Sequence, residues 1–227
     1  MLKLVCITVL LWNVLAEVPS EKEREYIINL HTELREEVNP PASNMLMLSY
    51  SNDLEKLADD WAEHGTVQFS TLSLSPKHKS LGIVYRIGPI NQPLSFGNLS
   101  ELKQERQNYD YKANSCKKVC FSYKQAIWAK SSEVGCAKYR RPLGLSEDYY
   151  YRVVCLYRPG EEFPTGLPYE NGVSCSKCPE GYVCERKQCT KQSATKSISA
   201  KTTTAASRRL IAVGIIHFAM LILLFVA

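Results

Sequence analysis

The chain lacks a strong charge bias, with 28 Lys and Arg residues against 23 Asp and Glu residues over 227 positions and a net charge of +5. Such a balance argues against a nucleic-acid partner and leaves only mild membrane-surface electrostatics. Histidine is scarce, with four in the whole chain. A hydrolytic nucleophile needs a base and an orienting group, and Ser122 beside Tyr123 has no histidine in its own motif. Glu33, Glu36 and Glu37 read as a solvated helix face rather than as an acid/base pair. The reading is therefore of a protein that is not an enzyme. Long apolar runs are confined to the two ends, and there is a single glycosylation sequon, Asn98-Leu99-Ser100.

The ends carry targeting signals. Lys3 precedes the apolar run Leu4 to Trp12, and Val14-Leu15-Ala16 offers a cleavage site, so residues 1–16 read as a signal peptide. Losing Lys3 takes the charge from +5 to +4. Residues 190–209 form a polar stalk rich in Ser, Thr, Ala and Lys, and residues 210–227 are almost continuously apolar. Arg208 and Arg209 precede that segment, against the positive-inside tendency for an outside-first single-pass helix. The pattern favours a glycosylphosphatidylinositol (GPI) signal over a transmembrane helix, with Ser193, Ser197, Ser199 and Ala200 as candidate attachment residues. The expected location is the extracellular side of the plasma membrane, with shedding or secretion as a variant of it.

Cys6 leaves with the signal, so eight cysteines remain: Cys116, Cys120, Cys136, Cys155, Cys175, Cys178, Cys184 and Cys189. An even number in an exported chain reads as disulfides. The last four fall within 15 residues, too short a stretch to bury a core. Zinc is the competing reading of Cys175-x-x-Cys178, but the oxidising compartment and the Cys184 to Cys189 gap favour crosslinks.

Between the ends, residues 17–160 read as one globular domain and residues 161–189 as a hinge and cysteine-rich tail. Ser20 and Glu23 form a capping box, followed by Ile27, Leu30, Leu34 and Val38 at helical spacing until Pro40-Pro41. A second helix, capped by Ser51 or Asn52, sets Leu54, Leu57, Ala58, Trp61 and Ala62 along one stripe. Residues 70–97 read as long loops with a short strand at Ile83-Val84-Tyr85, and a third helix is expected over Ser100 to Tyr109. Val134 to Ala137 and Tyr149 to Tyr157 are β-branched and aromatic enough for strands. Helices flanking a sheet make the fold class α/β.

Several segments together resemble the CAP family of cysteine-rich secretory, antigen 5 and plant pathogenesis-related proteins. They are His31-Thr-Glu-Leu-Arg35, Asn39-Pro-Pro-Ala42, Met45-Leu-Met47, Leu54 through Trp61-Ala62, Tyr109-Asp-Tyr111, Ser122 through Trp128, Val134-Gly-Cys-Ala137 and Val153-Val-Cys155. The likeness covers residues 20–190 and is strongest to the glioma-pathogenesis-related branch. It implies a CAP-type α-β-α sandwich with a small disulfide-rich C-terminal tail. In many members it also implies a cleft where two histidines and two glutamates hold a divalent metal.

Of those four donors only Glu105 is retained; the matching positions hold Phe69, Ile83 and Ser122. One carboxylate cannot replace the three or four converging donors that zinc needs, so no tetrad metal and no cofactor is expected. His64 and His78 read as solvated histidines. Gly65 and Arg141 stand where many relatives carry one disulfide, so both halves of that bridge are missing together. The resemblance implies the pairs Cys116 to Cys120, Cys136 to Cys155, Cys175 to Cys184 and Cys178 to Cys189, out of roughly a hundred connectivities. It further implies a cell-surface binding or adhesion module, with a role in gamete (sperm) interaction, or else a sterol- or lipid-binding extracellular protein. A hydrolase is the weaker reading. The expected partners are the membrane itself and an extracellular protein or lipid. Residues 70–97 and Tyr149-Tyr150-Tyr151 are candidate contact surfaces, since tyrosine gives contact area at small entropic cost.

Overall fold

A computed structural model describes residues 17–64, 80–88, 95–142, 149–160 and 165–192. The signal peptide, Gly65, Phe69, His78, the attachment candidates Ser193 to Ala200 and the hydrophobic tail lie outside the described residues, as do the side chains of His64, Arg141, Tyr149 and Tyr150.

Helix α1 spans Glu21–Glu36 and starts at the predicted box: the Ser20 side chain accepts from the Glu23 amide while the Glu23 carboxylate accepts from the Ser20 amide at 2.8 Å. Strand β1 (Ser49–Tyr50) leads into α2 (Asn52–His64), and of the two candidate caps Ser51 takes the role, its Oγ accepting from the Leu54 amide. After β2 (Gly82–Gly88) comes a run over residues 96–108, where one helix is expected over Ser100 to Tyr109. It consists instead of a 3₁₀ segment, a single α turn (α3, Leu102–Glu105) and a second 3₁₀ segment. The hairpin β3 (Tyr109–Asp110) and β4 (Ser115–Cys116) precedes α4 (Phe121–Ala126). Two long strands, β5 (Glu133–Pro142) and β6 (Tyr149–Arg158), complete the domain, and the tail adds the hairpin β7 (Tyr182–Glu185) and β8 (Gln188–Lys191).

The central sheet has the order β1-β5-β6-β2, parallel at β1/β5 and antiparallel elsewhere. Alternation along β6 assigns the two faces: Val153, Cys155 and Tyr157 pack with α1, α3 and α4, whereas Val154 and Leu156 pack with Leu54, Ala58, Trp61 and Ala62 of α2. Helices on both faces of a sheet are the α-β-α sandwich, and both apolar stripes seen in the sequence are buried except for Leu57, which is partly so.

Two polar residues of α1 lie wholly inside. Arg35 is 1% exposed and donates to the carbonyls of Ala126 (3.0 Å), Leu46 (2.6 Å), Ser131 (3.0 Å) and Trp128, so the turn from α4 to β5 is organised around one guanidinium. Its pKa is lowered to about 9 by burial. His31 sits one helical turn earlier, with Nδ1 2.7 Å from the Ile27 carbonyl and Nε2 2.7 Å from the Tyr157 hydroxyl. A carbonyl can only accept, so Nδ1 carries the proton and Nε2 accepts from Tyr157.

The tail is fastened to the domain. Cys189 exchanges backbone hydrogen bonds with residues 45 and 47 (2.7 and 2.9 Å), Ser43 donates to the Glu170 carbonyl at 2.8 Å, and Gln188 reaches the Thr32 carbonyl at 3.2 Å. The disulfides are Cys116 to Cys120, Cys136 to Cys155, Cys175 to Cys184 and Cys178 to Cys189. Cys136 and Cys155 are directly opposed in the β5/β6 ladder. Cys175, Cys178 and Cys189 also form the one thiol cluster among the described residues that could hold a metal, but all three sulfurs are spent in crosslinks. Among the described residues no helix is long and apolar enough to cross a membrane.

Candidate functional site

The site where the resemblance implies a metal is built here from β2, α3 and the start of α4. Strand β2 sends Val84 into the main core and Ile83 to the opposite face, against α2. Ile83 therefore does not face Glu105, although the resemblance assigns it a cleft position. The residue of β2 that does face Glu105 is Arg86, which the sequence reading did not single out.

Arg86 gathers the cleft around itself. Its Nη2 lies 2.6 Å from Glu105 Oε1, its Nη1 donates to Ser122 Oγ at 2.8 Å and to the Tyr85 carbonyl at 3.0 Å, and its Nε lies 3.4 Å from Glu101 Oε2. The second Glu105 oxygen accepts from the Tyr123 amide at 3.0 Å. Both carboxylate oxygens are thus engaged, and the Arg86 and Glu105 side chains are only 14% and 13% exposed. The residues do not fit a metal ion: one carboxylate is shared with a guanidinium, and Ser122 is a neutral hydroxyl turned toward the same cation. Ser122 as a nucleophile has no better support, because the group beside its oxygen is an arginine and cannot act as a base.

What remains is a polar cluster in which Arg86 is held between Glu101, Glu105 and Ser122. A cavity of about 420 Å³ lies alongside, lined by Asn39, Lys103, Arg106, Gln107, Tyr109 and Tyr123. Burial pushes the Tyr123 hydroxyl up to about 12, so it stays a neutral donor. Lys103 and Arg106 are paired across to α1, with Glu33 and Glu37 at 2.7 Å each, and Arg186 of the tail is 2.7 Å from Glu36. The three carboxylates expected as a solvated face tie the end of α1 to two parts of the chain, Glu33 and Glu37 to residues 103 and 106 and Glu36 to the tail.

A second groove of about 430 Å³ opens between the domain and the hinge. Tyr111 and Tyr169 stack along it at 4.7 Å, with Trp128, Leu167 and Pro168 beside them. Nothing in local periodicity signals this groove, because its walls come from segments 58 residues apart, joined by the Tyr111 hydroxyl donating to the Tyr169 carbonyl at 2.9 Å. Asn98 is a half-buried residue whose Oδ1 accepts from the Ser95 amide at 2.8 Å, and Tyr151, the only described side chain of the tyrosine triplet, packs against the main core.

Comparison with known proteins agrees with this fold. The pattern of the cysteine-rich secretory protein family, CAP, matches residues 28–157. GLIPR1-like protein 1 of Bos taurus is 33% identical over 178 residues, 76% of this chain and 73% of that protein. Peptidase inhibitor 16 of Bos taurus is 30% identical over 174 residues, 75% of this chain but only 36% of that longer protein. Among solved structures, Na-ASP-1 superposes with a TM-score of 0.58 at 19% identity, covering 76% of this chain and 48% of that one. NaASP2 with Zn²⁺ gives 0.54 at 22% identity, covering 75% and 96%. Fold and sequence agree: the chain belongs to the CAP family, as a CAP-domain protein of the GLIPR1-like and peptidase-inhibitor-16 type.

Proposed function

We propose that this chain is a non-catalytic recognition module, displayed on the extracellular face of a membrane by its C-terminal segment and acting by adhesion to a protein partner, with gamete interaction as its setting. One observation carries the reading: Arg86 fills the cleft and takes up the carboxylate that a metal or an acid catalyst would use. A guanidinium paired with Glu105 and Ser122 can position a ligand's acceptor groups but cannot remove a proton at neutral pH. The disulfide framework and the fastened tail suit a domain that must hold its shape outside the cell.

Two measurements test it. Zinc titrated calorimetrically into the purified protein should give no stoichiometric binding at the cleft, and a peptide library should remain uncut with or without chelator. Stoichiometric zinc that Glu105→Gln abolishes would refute the reading. Release from cells by a phosphatidylinositol-specific phospholipase, followed by partner capture, then addresses display and ligand together.

The groove of Tyr111, Trp128, Leu167 and Tyr169 favours a second reading, carriage of a lipid or sterol. Filter binding of labelled sterol, reduced by Trp128→Ala, separates that reading from adhesion.

A further inference from the structure

The hairpin β3/β4 and the start of α4 enclose a small covalent loop, Cys116-Lys-Lys-Val-Cys120, followed by Phe121. Val119 is 68% exposed and Phe121 54%, while Cys120 between them is fully buried. Two apolar side chains are thus held outward on either side of an anchor. The loop cannot readily turn them in: the disulfide closes it, the Lys117 amide donates to the Asn108 carbonyl at 2.8 Å, and the Asn108 side chain donates to the Val119 carbonyl at 3.3 Å. Lys117 and Lys118 on the loop and Lys112 in the adjoining turn are exposed, and none enters a salt bridge among the described residues. The nearest acid of the hairpin is Asp110, whose Oδ1 accepts from the Ala113 amide at 3.1 Å.

We infer that this loop is a membrane-docking surface that lays Val119 and Phe121 between the lipids of a bilayer bearing anionic headgroups, with Lys112, Lys117 and Lys118 on those headgroups. Charge complementarity selects the occupant. Lysines clustered at a surface are attracted to anionic lipid, and an aromatic with a β-branched neighbour gains by entering the interfacial layer beneath it. A sulfated polysaccharide would engage the lysines alone and gain nothing from the apolar pair. Because the loop is already closed, little conformational freedom is lost on docking. The surface is distinct from the Arg86 cleft and does not depend on what that cleft binds.

The test uses the full chain held in nanodiscs of neutral phosphatidylcholine, so that its own apolar terminus is occupied, and measures capture on immobilised vesicles. Vesicles containing about 30 mol % phosphatidylserine should bind at least roughly tenfold better than pure phosphatidylcholine, and raising salt from about 0.1 to about 0.5 M should weaken the binding. Lys117→Glu with Lys118→Glu, and separately Val119→Ser with Phe121→Ser, should each cost roughly tenfold while leaving near-ultraviolet dichroism and the thermal midpoint unchanged. Lys112→Glu serves if the first pair misfolds. Equal capture on neutral vesicles, no capture on anionic ones, or unaltered capture of the folded Val119→Ser/Phe121→Ser protein overturns the inference. Binding that transfers to heparin and depends on the lysines alone overturns it too, and names the polysaccharide as occupant.

Discussion

His31 is fully buried, and burial, together with the nearby Arg35 charge, lowers its pKa to about 4, although the Ile27 carbonyl works the other way. The ordinary value is 6.5, so between the two the unfolded chain holds a proton that the folded chain rejects. Stability from this residue is complete above the unfolded pKa and is lost progressively as pH falls toward 4. The free energy of unfolding should drop by about 3 kcal/mol across that window, read from denaturant titrations at successive pH values. His31→Gln should remove that component and leave a shallower profile set by the carboxylates. Arg86 makes a different kind of contribution. Arg86→Ala strips the cation from a carboxylate that is 13% exposed, and about 2 kcal/mol of stability should go with it, less than for a fully buried pair because both groups keep some solvent.

At the scale of elements, close approach matters more than propensity. The N-terminus of α2 lies against β5 at Gly135, where a methyl would meet the Glu55 amide and the Ser51 carbonyl, both backbone atoms that cannot swing away. Gly135→Ala should cost about 2 to 3 kcal/mol in chemical denaturation, with the loss appearing as faster amide exchange in α2. The elements that sequence reveals are those whose burial repeats along the chain. The stripes of α1 and α2 and the β-branched runs of β2, β5 and β6 are of that kind. Helix α4 escapes notice because six residues, including Ser122 and Gln125, do not complete a pattern. The strands of two residues escape for the same reason, and the helix expected over Ser100 to Tyr109 is in fact mixed, because 3₁₀ turns leave no distinct spacing. Glu105 and Ser122 are legible through family likeness. Arg86 is not, because its partners lie 19 and 36 residues away and a basic residue in a strand reads as solvent-facing until the fold brings an acid opposite it.

For the whole molecule, the tail and the sandwich are joined by backbone hydrogen bonds at residues 41–47, Cys189 holding residues 45 and 47, and carry separate sets of crosslinks. Mild reduction should therefore act in two stages. The tail disulfides, Cys175 to Cys184 and Cys178 to Cys189, join residues that are at most partly buried except Cys189, whereas Cys136 and Cys155 are both fully buried. Amide exchange at residues 182–191 should rise first, while the β5/β6 ladder stays protected until its own bridge opens, at a further cost of about 3 kcal/mol. Exchange rising in the ladder first would contradict this order.

The Cys178 to Cys189 bridge also has a mechanical meaning. Tension applied at Thr190 enters Cys189 and crosses directly to Cys178, so the ten residues between them bear no load while the bridge is intact. Pulled by that end, the oxidised chain would lengthen by roughly 35 Å less than the reduced one, as the contour of those residues stays hidden behind the sulfur bond. The segment is in this sense a strain-relief clip, placing the first yield point at the backbone seam on residues 45–47 instead of within the hairpin itself.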